Sequence, residues 1–241
     1  MDLQLTPQHL EFRDQLRGWL AANMRRPWRE ELRDPAATED GLMEFRRAWQ
    51  KKLYQAGYLG MDWPREWGGR GVGEVEKAIF DEEMARADAP PILNTLGIGL
   101  LGPALIHHGS EEQRRRFIPP MLAGDEIWCQ GFSEPGAGSD LAALRTSARL
   151  DGDVFVLNGQ KIWTTFGPVG RLDLRAGAHR LEGSLRRDLV HPLQARHAGR
   201  SRCGRSARSP ARASSARCSS RTRACRARTW SAKSAKGGGS P

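Results

Sequence analysis

The sequence predicts an α+β protein: an N-terminal all-α domain, a short antiparallel β domain and a disordered arginine-rich tail. Apolar residues recur at helical spacing as far as about residue 124, and from residue 127 the period changes to that of strands. After about residue 170 the large apolar side chains almost disappear. These changes place the predicted domains at residues 1–124, 125–169 and 170–241.

The first part of the helical domain shows three amphipathic helices. Thr6 followed by Pro7 is typical of a helix start, with a hydroxyl cap and a proline at the first helical position. Gly57 suits the C-terminal cap of the second helix. The third helix is predicted over about residues 74–87. The residues expected to face the core are Phe12, Leu16, Trp19 and Leu20, then Leu42, Phe45, Trp49 and Leu53, then Val75, Ala78 and Ile79.

The second part of the helical domain has a loop and two further helices. WPREWGGRG (63–71) is punctuated by proline and glycine and predicts a loop. ILNTLGIGLLGPALIHHG (92–109) is apolar almost all round, which favours a buried helix that is too short and too glycine-broken to span a membrane. Ser110 and Gln113 form a capping-box pattern at the start of the next helix, and Gly124 follows that helix.

The β domain is predicted from three short segments of strand-like sequence. They are IWCQGF (127–132), TSARL (146–150) and VFVLNGQKIWTTF (154–166). DGD (151–153) and Asn158-Gly159 have the residue types of tight turns, so we expect antiparallel strands on either side of them.

The charge of the chain is divided unevenly. Residues 1–170 carry 20 Lys and Arg against 25 Asp and Glu, whereas residues 171–241 carry 18 against 3. The tail contains no Ile, Phe, Met or Tyr, so it lacks the apolar surface needed to offset the entropy of ordering its backbone. Disorder is therefore predicted. An alternative function is nucleic-acid binding through residues 171–241, because arginine-rich tails bind phosphate backbones electrostatically.

Cysteine usage and the N-terminus bear on metal sites and location. Cys129, Cys203, Cys218 and Cys225 form no CxxC pair, and three of them lie in the tail, so neither a metal site nor a disulfide framework is predicted. The chain has no apolar run of membrane-spanning length, and MDLQLTPQHLEF (1–12) lacks the features of a signal peptide. A cytoplasmic protein is predicted.

The segment richest in chemical groups is CQGFSEPGAGSDLAALRTSARLDGDVFVLNGQKIWTTFG (129–167). Its glycines suit a tight turn whose backbone N–H groups face an anion, and Ser139 adds a hydroxyl. Each feature also has a plainer interpretation: SEPGAGSD (133–140) as a flexible loop and Trp163 as a core aromatic. Glu134 is more simply a loop-fixing residue than a catalytic base. GGRGVG (68–73) lacks the spacing and context of a dinucleotide-binding loop.

SEPGAGSD and NGQKIWTT (158–165), at this spacing, closely resemble the flavin-binding segments of the acyl-CoA dehydrogenase family. The resemblance extends over about residues 1–169. It implies a helical N-terminal domain, a middle β-barrel domain of which this chain supplies about half, and a C-terminal four-helix domain. It also implies that FAD is contacted by Gln130, Phe132, Ser133, Gly138, Ser139, Trp163 and Thr165.

The resemblance implies a reaction as well. Family members carry out α,β-dehydrogenation of an acyl-CoA thioester: a glutamate removes the α proton while the β hydrogen leaves as hydride to the flavin. They pass electrons to an electron-transfer flavoprotein and form homo- or hetero-oligomers. The glutamate belongs to the C-terminal domain, which this chain does not match. No catalytic residue is therefore assigned, and the chain is expected to be inactive, without membrane or specific nucleic-acid partners.

The change of composition at residue 170 suggests a shift of reading frame. Codons for GRLDLRAGAHRL (170–181), read from the second base of each codon, can encode ADWIFVLVRTD, the type of strand with which family members continue. The same frame over residues 187–193 permits GISFIL, another apolar strand. A GC-rich gene read out of frame also gives an Arg/Ala/Ser/Gly tail. The hypothesis is that one extra base lies at or just before the Gly170 codon.

Overall fold

The chain contains two compact units. A computed structural model describes residues 4–24, 27–31, 38–140, 143–151, 154–164, 172–181, 184–194, 201–205 and 216–226. The helical unit comprises residues 1–98 and 114–125, and the sheet unit comprises residues 99–113 and 126–241. Among the described residues, no helix combines the length and the apolar character required to cross a membrane.

Three helix ends lie where local sequence signals place them. The described helices are α1 Pro7–Asn23, α2 Trp28–Glu31, α3 Glu39–Gln55, α4 Glu74–Arg86, α5 Gly102–His108 and α6 Glu111–Ala123. The Thr6 side chain accepts a hydrogen bond from His9 N at 3.3 Å, which caps α1 as predicted. Gly57 follows α3 with φ of 72°, a left-handed conformation that glycine adopts at little cost. The Ser110–Gln113 capping box is also confirmed, with bonds of 2.9 and 3.2 Å.

The predicted inward face of α4 is only partly correct. Ile79 is buried, but Val75 is 40% exposed and Ala78 is also exposed. Phe80 and Glu83 are the other buried residues of the helix. The buried stripe therefore runs one position later than predicted. It faces α1, against which α4 packs, and it includes a carboxylate that the apolar pattern did not register.

The glycine-rich segment 92–109 is not one continuous buried helix. Residues Gly97–Leu101 form a π-helix, which leads directly into α5. Leu101 and Leu105 are buried, whereas Leu100 is 44% exposed. Glycine disfavours a regular helix because its backbone loses most freedom on ordering, and Gly97, Gly99 and Gly102 lie in or next to this π turn. The apolar composition here overstates the burial.

Aromatic rings form the centre of the helical unit. Tyr58 lies 5.2 Å from Trp19 and 6.0 Å from Phe80, measured between ring centroids. The Arg70 guanidinium lies 5.9 Å above the Tyr58 ring. Burial raises the pKa of the Tyr58 hydroxyl, although the Arg70 charge acts in the opposite direction. The predicted core positions Phe12, Leu16, Leu20, Trp49 and Leu53 are all buried.

The sheet unit holds seven described strands. They are β1 Trp128–Gly131, β2 Ser147–Asp151, β3 Val154–Thr164, β4 Leu172–Leu181, β5 Ser184–Gln194, β6 Ser201–Arg205 and β7 Ala216–Arg226. Their order is β1-β4-β2-β3-β7-β6, with β5 paired to β4. β4 runs parallel to β1 and to β2, and the other pairs are antiparallel. Within the predicted β domain, residues 125–169, the pair β2–β3 is antiparallel as expected. Both parallel pairs involve β4, which lies beyond that domain, so the complete sheet is mixed, and closure into a barrel stays a prediction.

The predicted turns of the β domain have different outcomes. β2 and β3 form an antiparallel pair with Asp151 opposite Val154, so DGD separates two hairpin strands as predicted. Asn158-Gly159, by contrast, lies inside the continuous strand β3, where the pairing with β7 shifts register. A Cβ at Gly159 would lie 2.3 Å from Thr146 Oγ1. Close packing, and not a hairpin turn, therefore requires this glycine.

The described parts of the tail are strands, and the disorder of residues 170–241 as a whole stays a prediction. Strands β4 to β7 occupy residues between Leu172 and Arg226, and each pairs with at least one neighbour. The rest of residues 170–241 lies outside the described residues.

Candidate functional site

The candidate site is formed where β1 and β3 end. The Ile162 N–H donates to the Ser133 carbonyl at 2.9 Å. The Lys161 ammonium donates to the Phe132 carbonyl, also at 2.9 Å. These bonds bring the segment after β1 beside the strand end that carries Trp163. The structure therefore brings together three predicted site residues, namely Phe132, Ser133 and Trp163.

A tight turn opens the SEPGAGSD loop. The Glu134 N–H donates to the Ala137 carbonyl at 2.8 Å, and the Ala137 N–H donates back to the Glu134 carbonyl at 3.1 Å. Pro135 and Gly136 occupy the corner of this turn. Neither Gly136 nor Gly138 has a positive φ, so the turn does not use the backbone freedom for which the sequence suggested them. Gly136 and Gly138 are exposed, and they leave this part of the loop surface without side chains.

Glu134 holds this loop at its two ends. Its Oε2 accepts from Arg145 N at 2.7 Å, and its Oε1 accepts from Thr146 N at 3.0 Å. Oε1 also accepts from Lys161 Nζ at 2.8 Å. Burial raises the pKa of the Glu134 carboxyl, but these hydrogen bonds outweigh it and hold the pKa below its ordinary value. An ionised carboxylate with its oxygens occupied in this way is a structural group.

Sequence reasoning missed Lys161. Its side chain is 1% exposed, and that of Glu134 is 6% exposed. A lysine is almost never so fully buried unless it is paired. The signal was present in QKIWTT (160–165), where a single cation interrupts a strand-like segment, and the acidic residue in SEPGAGSD was available as its partner.

Trp163 is held in an uncommon conformation at the end of β3. It has φ of 56°, and the residue is 68% exposed. The pairing with β7 shifts register between Lys161 and Thr164, both of which are buried. Such a bulge redirects the side chain of the extra residue, and strained backbone of this kind is concentrated at functional sites. The indole is thereby placed in the open, where a planar ligand can stack on it.

The remaining predicted site residues differ in exposure. Gln130 lies on β1 and is half-buried, as are Phe132 and Ser133. Gly138 and Ser139 are exposed on the loop. Thr165 lies outside the described residues. An exposed indole could stack on a flat ring, and an exposed glycine-serine segment could face an anionic group; FAD contains both kinds of group. Thr164 Oγ1 is buried without a hydrogen-bond partner in the described structure.

Two family models match the sequence over the same elements. Residues 6–125 match the acyl-CoA dehydrogenase N-terminal domain, and residues 129–175 match the acyl-CoA dehydrogenase middle domain. The chain belongs to the acyl-CoA dehydrogenase family. Members of this family are FAD-dependent oxidoreductases, which agrees with the motifs at Ser133–Asp140 and at the end of β3.

Relatives of known sequence extend the similarity. Acyl-CoA dehydrogenase IpdE1 of Mycobacterium tuberculosis is 50% identical over 163 residues, which is 67% of this chain and 42% of IpdE1. The human mitochondrial short-chain specific acyl-CoA dehydrogenase is 41% identical over 138 residues, which is 56% of this chain and 33% of the human protein. The chain thus spans less than half the length of these relatives.

Solved structures of similar fold include two complexes. The ChsE4–ChsE5 complex of Mycobacterium tuberculosis aligns with a TM-score of 0.76 and 31% identity, covering 95% of this chain and 57% of the aligned one. The Tcur3481–Tcur3483 steroid acyl-CoA dehydrogenase aligns with a TM-score of 0.62 and 33% identity, covering 76% of this chain and 46% of the other. Family members thus act on acyl-CoA and form oligomers or complexes.

Proposed function

We propose that this chain carries the FAD-facing part of an acyl-CoA dehydrogenase that introduces an α,β double bond into an acyl-CoA thioester. One observation carries the proposal: the exposed Trp163 stands beside Ser133 and the SEPGAGSD loop, inside the segment that matches the family's middle domain. The acyl chain of the substrate is left open, because nothing in the described residues defines a pocket for it.

The residues proposed to hold FAD divide by chemistry. Trp163 supplies a flat apolar face for the isoalloxazine ring, and Ser133 and Thr165 supply hydroxyls near its polar edge. The loop residues Gly138 and Ser139 are proposed to face the pyrophosphate, with Gln130 and Phe132 completing the set. Bound FAD would act as the hydride acceptor, and the protein's part is to bind it, orient it and exclude water from it.

A binding titration tests the site. We expect the purified chain to quench the fluorescence of added FAD, and we expect Ser139→Ala and Trp163→Ala each to raise the dissociation constant by about tenfold, the effect of roughly 1.4 kcal/mol. Gly136→Ala is the control, because no atom lies within 4 Å of the added Cβ. FAD affinity equal in all four proteins would contradict the assignment.

Catalytic turnover requires a base as well as bound FAD. The glutamate base of the family is expected from its C-terminal domain, whereas the family models match residues 6–125 and 129–175 to the N-terminal and middle domains. We therefore propose that this chain alone does not reduce a dye when acyl-CoA is added. Dye reduction by the purified chain above a buffer blank would show that a base is present within these residues.

The tail is proposed to be a continuation of the family sequence read one base out of frame. Identity to the relatives extends over about 163 residues, and the middle-domain match ends at residue 175, close to the change of composition. Resequencing the gene across codons 160–200 tests this. Removal of one base near codon 170 should open a family-like frame, and the lack of such a frame would exclude the hypothesis.

The proposed partners and location follow the family. They are an acyl-CoA substrate, an electron-transfer flavoprotein as electron acceptor, and a homo- or hetero-oligomer, in the cytoplasm. Size-exclusion chromatography with light scattering, on the chain alone and with the gene frame restored, would test the assembly. A monomer with the frame restored would contradict it.

The second candidate function is nucleic-acid binding by the tail, favoured by its 18 basic against 3 acidic residues. Binding should weaken steeply with salt because it depends on counterion release. The decisive control is a tail of the same composition in shuffled order. Equal gel shifts by both tails would mark the binding as a property of charge alone, and a stronger shift by the natural order would support a selected function.

A further inference from the structure

The Glu134–Lys161 ion pair is buried beside the proposed FAD contacts, and its charged atoms bond to each other and to backbone groups. Both side chains are almost fully buried, 6% and 1% exposed. Replacing a buried pair by apolar residues is often neutral for stability, so stability alone is a weak reason for a protein to contain one. The partners of the pair indicate a different role.

Those partners are backbone groups of the loop that carries the proposed FAD contacts. Glu134 accepts from the N–H groups of Arg145 and Thr146, and Lys161 donates to the Phe132 carbonyl. These bonds join Glu134 to Arg145 and Thr146, eleven and twelve positions later in the sequence. The pair therefore closes the loop that lies between them. Gly138 and Ser139 lie within the closed loop.

The pair also ties the loop to the strand that carries Trp163. Lys161 lies on β3 two residues before Trp163, and the Ile162 N–H donates to the Ser133 carbonyl at 2.9 Å. Ser133 lies between Phe132 and Glu134, both of which bond to Lys161. Trp163 follows Ile162, whose N–H bonds to the Ser133 carbonyl. A displacement of either segment would move both proposed ring contacts relative to each other.

We propose that Glu134 and Lys161 are positioning residues for FAD: together they fix the SEPGAGSD loop against the Trp163 end of β3. This inference rests on the proposed function for the identity of the ligand. A buried charge that loses its partner is strongly destabilising, so the loop and β3 are held in the arrangement that keeps the two charges together. A binding surface held in place before the ligand arrives avoids the entropic cost of ordering it on binding.

The test combines FAD titration with hydrogen exchange on the full chain. Lys161→Met and Glu134→Gln are each expected to raise the FAD dissociation constant at least tenfold and to speed exchange in peptides covering residues 133–147 at least tenfold. Exchange in peptides of α1 should stay unchanged. Glu83→Gln is the control, because it breaks an ion pair of the helical unit whose carboxylate is as buried as that of Glu134, 6% exposed, while its cation Arg17 is 44% exposed. It should leave both readouts within twofold of wild type.

The comparison with thermal stability separates positioning from a purely structural role. If the pair only stabilises the fold, FAD affinity across the variants will follow the melting temperature, and Glu83→Gln will lose affinity as well; that result would overturn the proposal. Unchanged hydrogen exchange at residues 133–147 in Glu134→Gln would overturn it as well. Glu134→Gln preserves the shape of the side chain, so it provides the test even if Lys161→Met does not fold. Absence of FAD binding by the wild-type chain would instead refute the proposed function, and the titration of wild type alone shows this before any variant is compared.

Discussion

The side-chain amide of Gln50 links the backbone of Asn94 to the last turn of α6. Its Oε1 accepts from Asn94 N at 2.9 Å, while its Nε2 donates to the carbonyls of Met121 and Leu122 at 3.0 and 3.1 Å. Asn94 Nδ2 donates to the Met121 carbonyl as well, at 2.9 Å. The last four carbonyls of a helix have no intrahelical partner, so buried amides here replace the water that would otherwise solvate them. Both amide residues are fully buried.

Gln50→Leu should therefore destabilise the helical unit strongly. The substitution keeps the approximate volume but deprives Asn94 N and the Leu122 carbonyl of a partner, and each buried group left unpaired costs about 1–3 kcal/mol. We expect a clear fall in the free energy of unfolding measured with urea. Gln15→Leu is the control, because Gln15 is exposed and bonds only to the exposed Glu11. Equal effects of the two substitutions would show that the buried network contributes nothing.

The Arg17–Glu83 pair gives the helical unit a pH-dependent contribution to stability. Arg17 donates two hydrogen bonds to the Glu83 carboxylate, at 2.7 and 2.8 Å, and these lower the pKa of Glu83 although burial acts in the opposite direction. A carboxyl whose pKa is lower in the folded state stabilises the fold above its unfolded pKa, near 4.5. That contribution is lost as the pH falls through the folded-state pKa.

Glu83→Gln should accordingly lower the melting temperature at pH 7 and approach wild type as the pH falls below about 4. Circular dichroism melts at several pH values measure this. Glu82→Gln is the control: its carboxylate pairs with Arg86, but its side chain is 57% exposed, so the effect at any pH should be small. A difference between wild type and Glu83→Gln that is the same at pH 7 and pH 3 would contradict the argument.

The contact between Gly159 and Thr146 should make Gly159 intolerant of any side chain. An added Cβ would lie 2.3 Å from Thr146 Oγ1 and 2.8 Å from its Cα, so removing the hydroxyl would not relieve the clash with the backbone. Gly159→Ala should separate β2 from β3 at this point and lower the yield of soluble protein and its melting temperature. Gly136→Ala, with open space around its Cβ, should be neutral.

A rescue experiment sharpens the prediction for Gly159. Because Thr146 Cα is part of the clash, Gly159→Ala with Thr146→Ala should recover only part of the lost stability. Full recovery in the double variant would show that the hydroxyl alone limits the space, and no loss in Gly159→Ala would show that the strands are further apart than the structure has them.

The sequence predicted the helical unit well because its signals are local. Helix caps at Thr6 and Ser110 and the glycine after α3 depend on residues within one turn of each other, and all three were correct. The misassigned features depend on contacts distant in sequence. Val75 was placed inward because Val75, Ala78 and Ile79 are apolar residues at helical spacing, whereas the buried stripe is set by the packing of α4 on α1.

The same distinction applies to the candidate site. The family motifs located Ser133 and Trp163, but no local pattern showed that a lysine 27 residues after Glu134 would be its buried partner. Nor could spacing show that Asn158-Gly159 lies within a strand, since that depends on the contact with Thr146, the residue before the facing strand β2. Residue types thus indicated what the site contains, and only the folded chain shows which groups hold it together.

The left-handed backbone of Trp163 allows a sharp comparison between two substitutions. In ordinary helix or strand interiors glycine is less stable than alanine by roughly 0.5–1 kcal/mol. At φ of 56° the order should reverse, because a Cβ in this region costs about 1–2 kcal/mol that glycine avoids. Urea unfolding should therefore rank Trp163→Gly above Trp163→Ala. Trp128→Ala, with a residue only 1% exposed, should be far less stable than either. If Trp163→Ala were the more stable of the first pair, the bulge at the end of β3 would not hold residue 163 in this conformation.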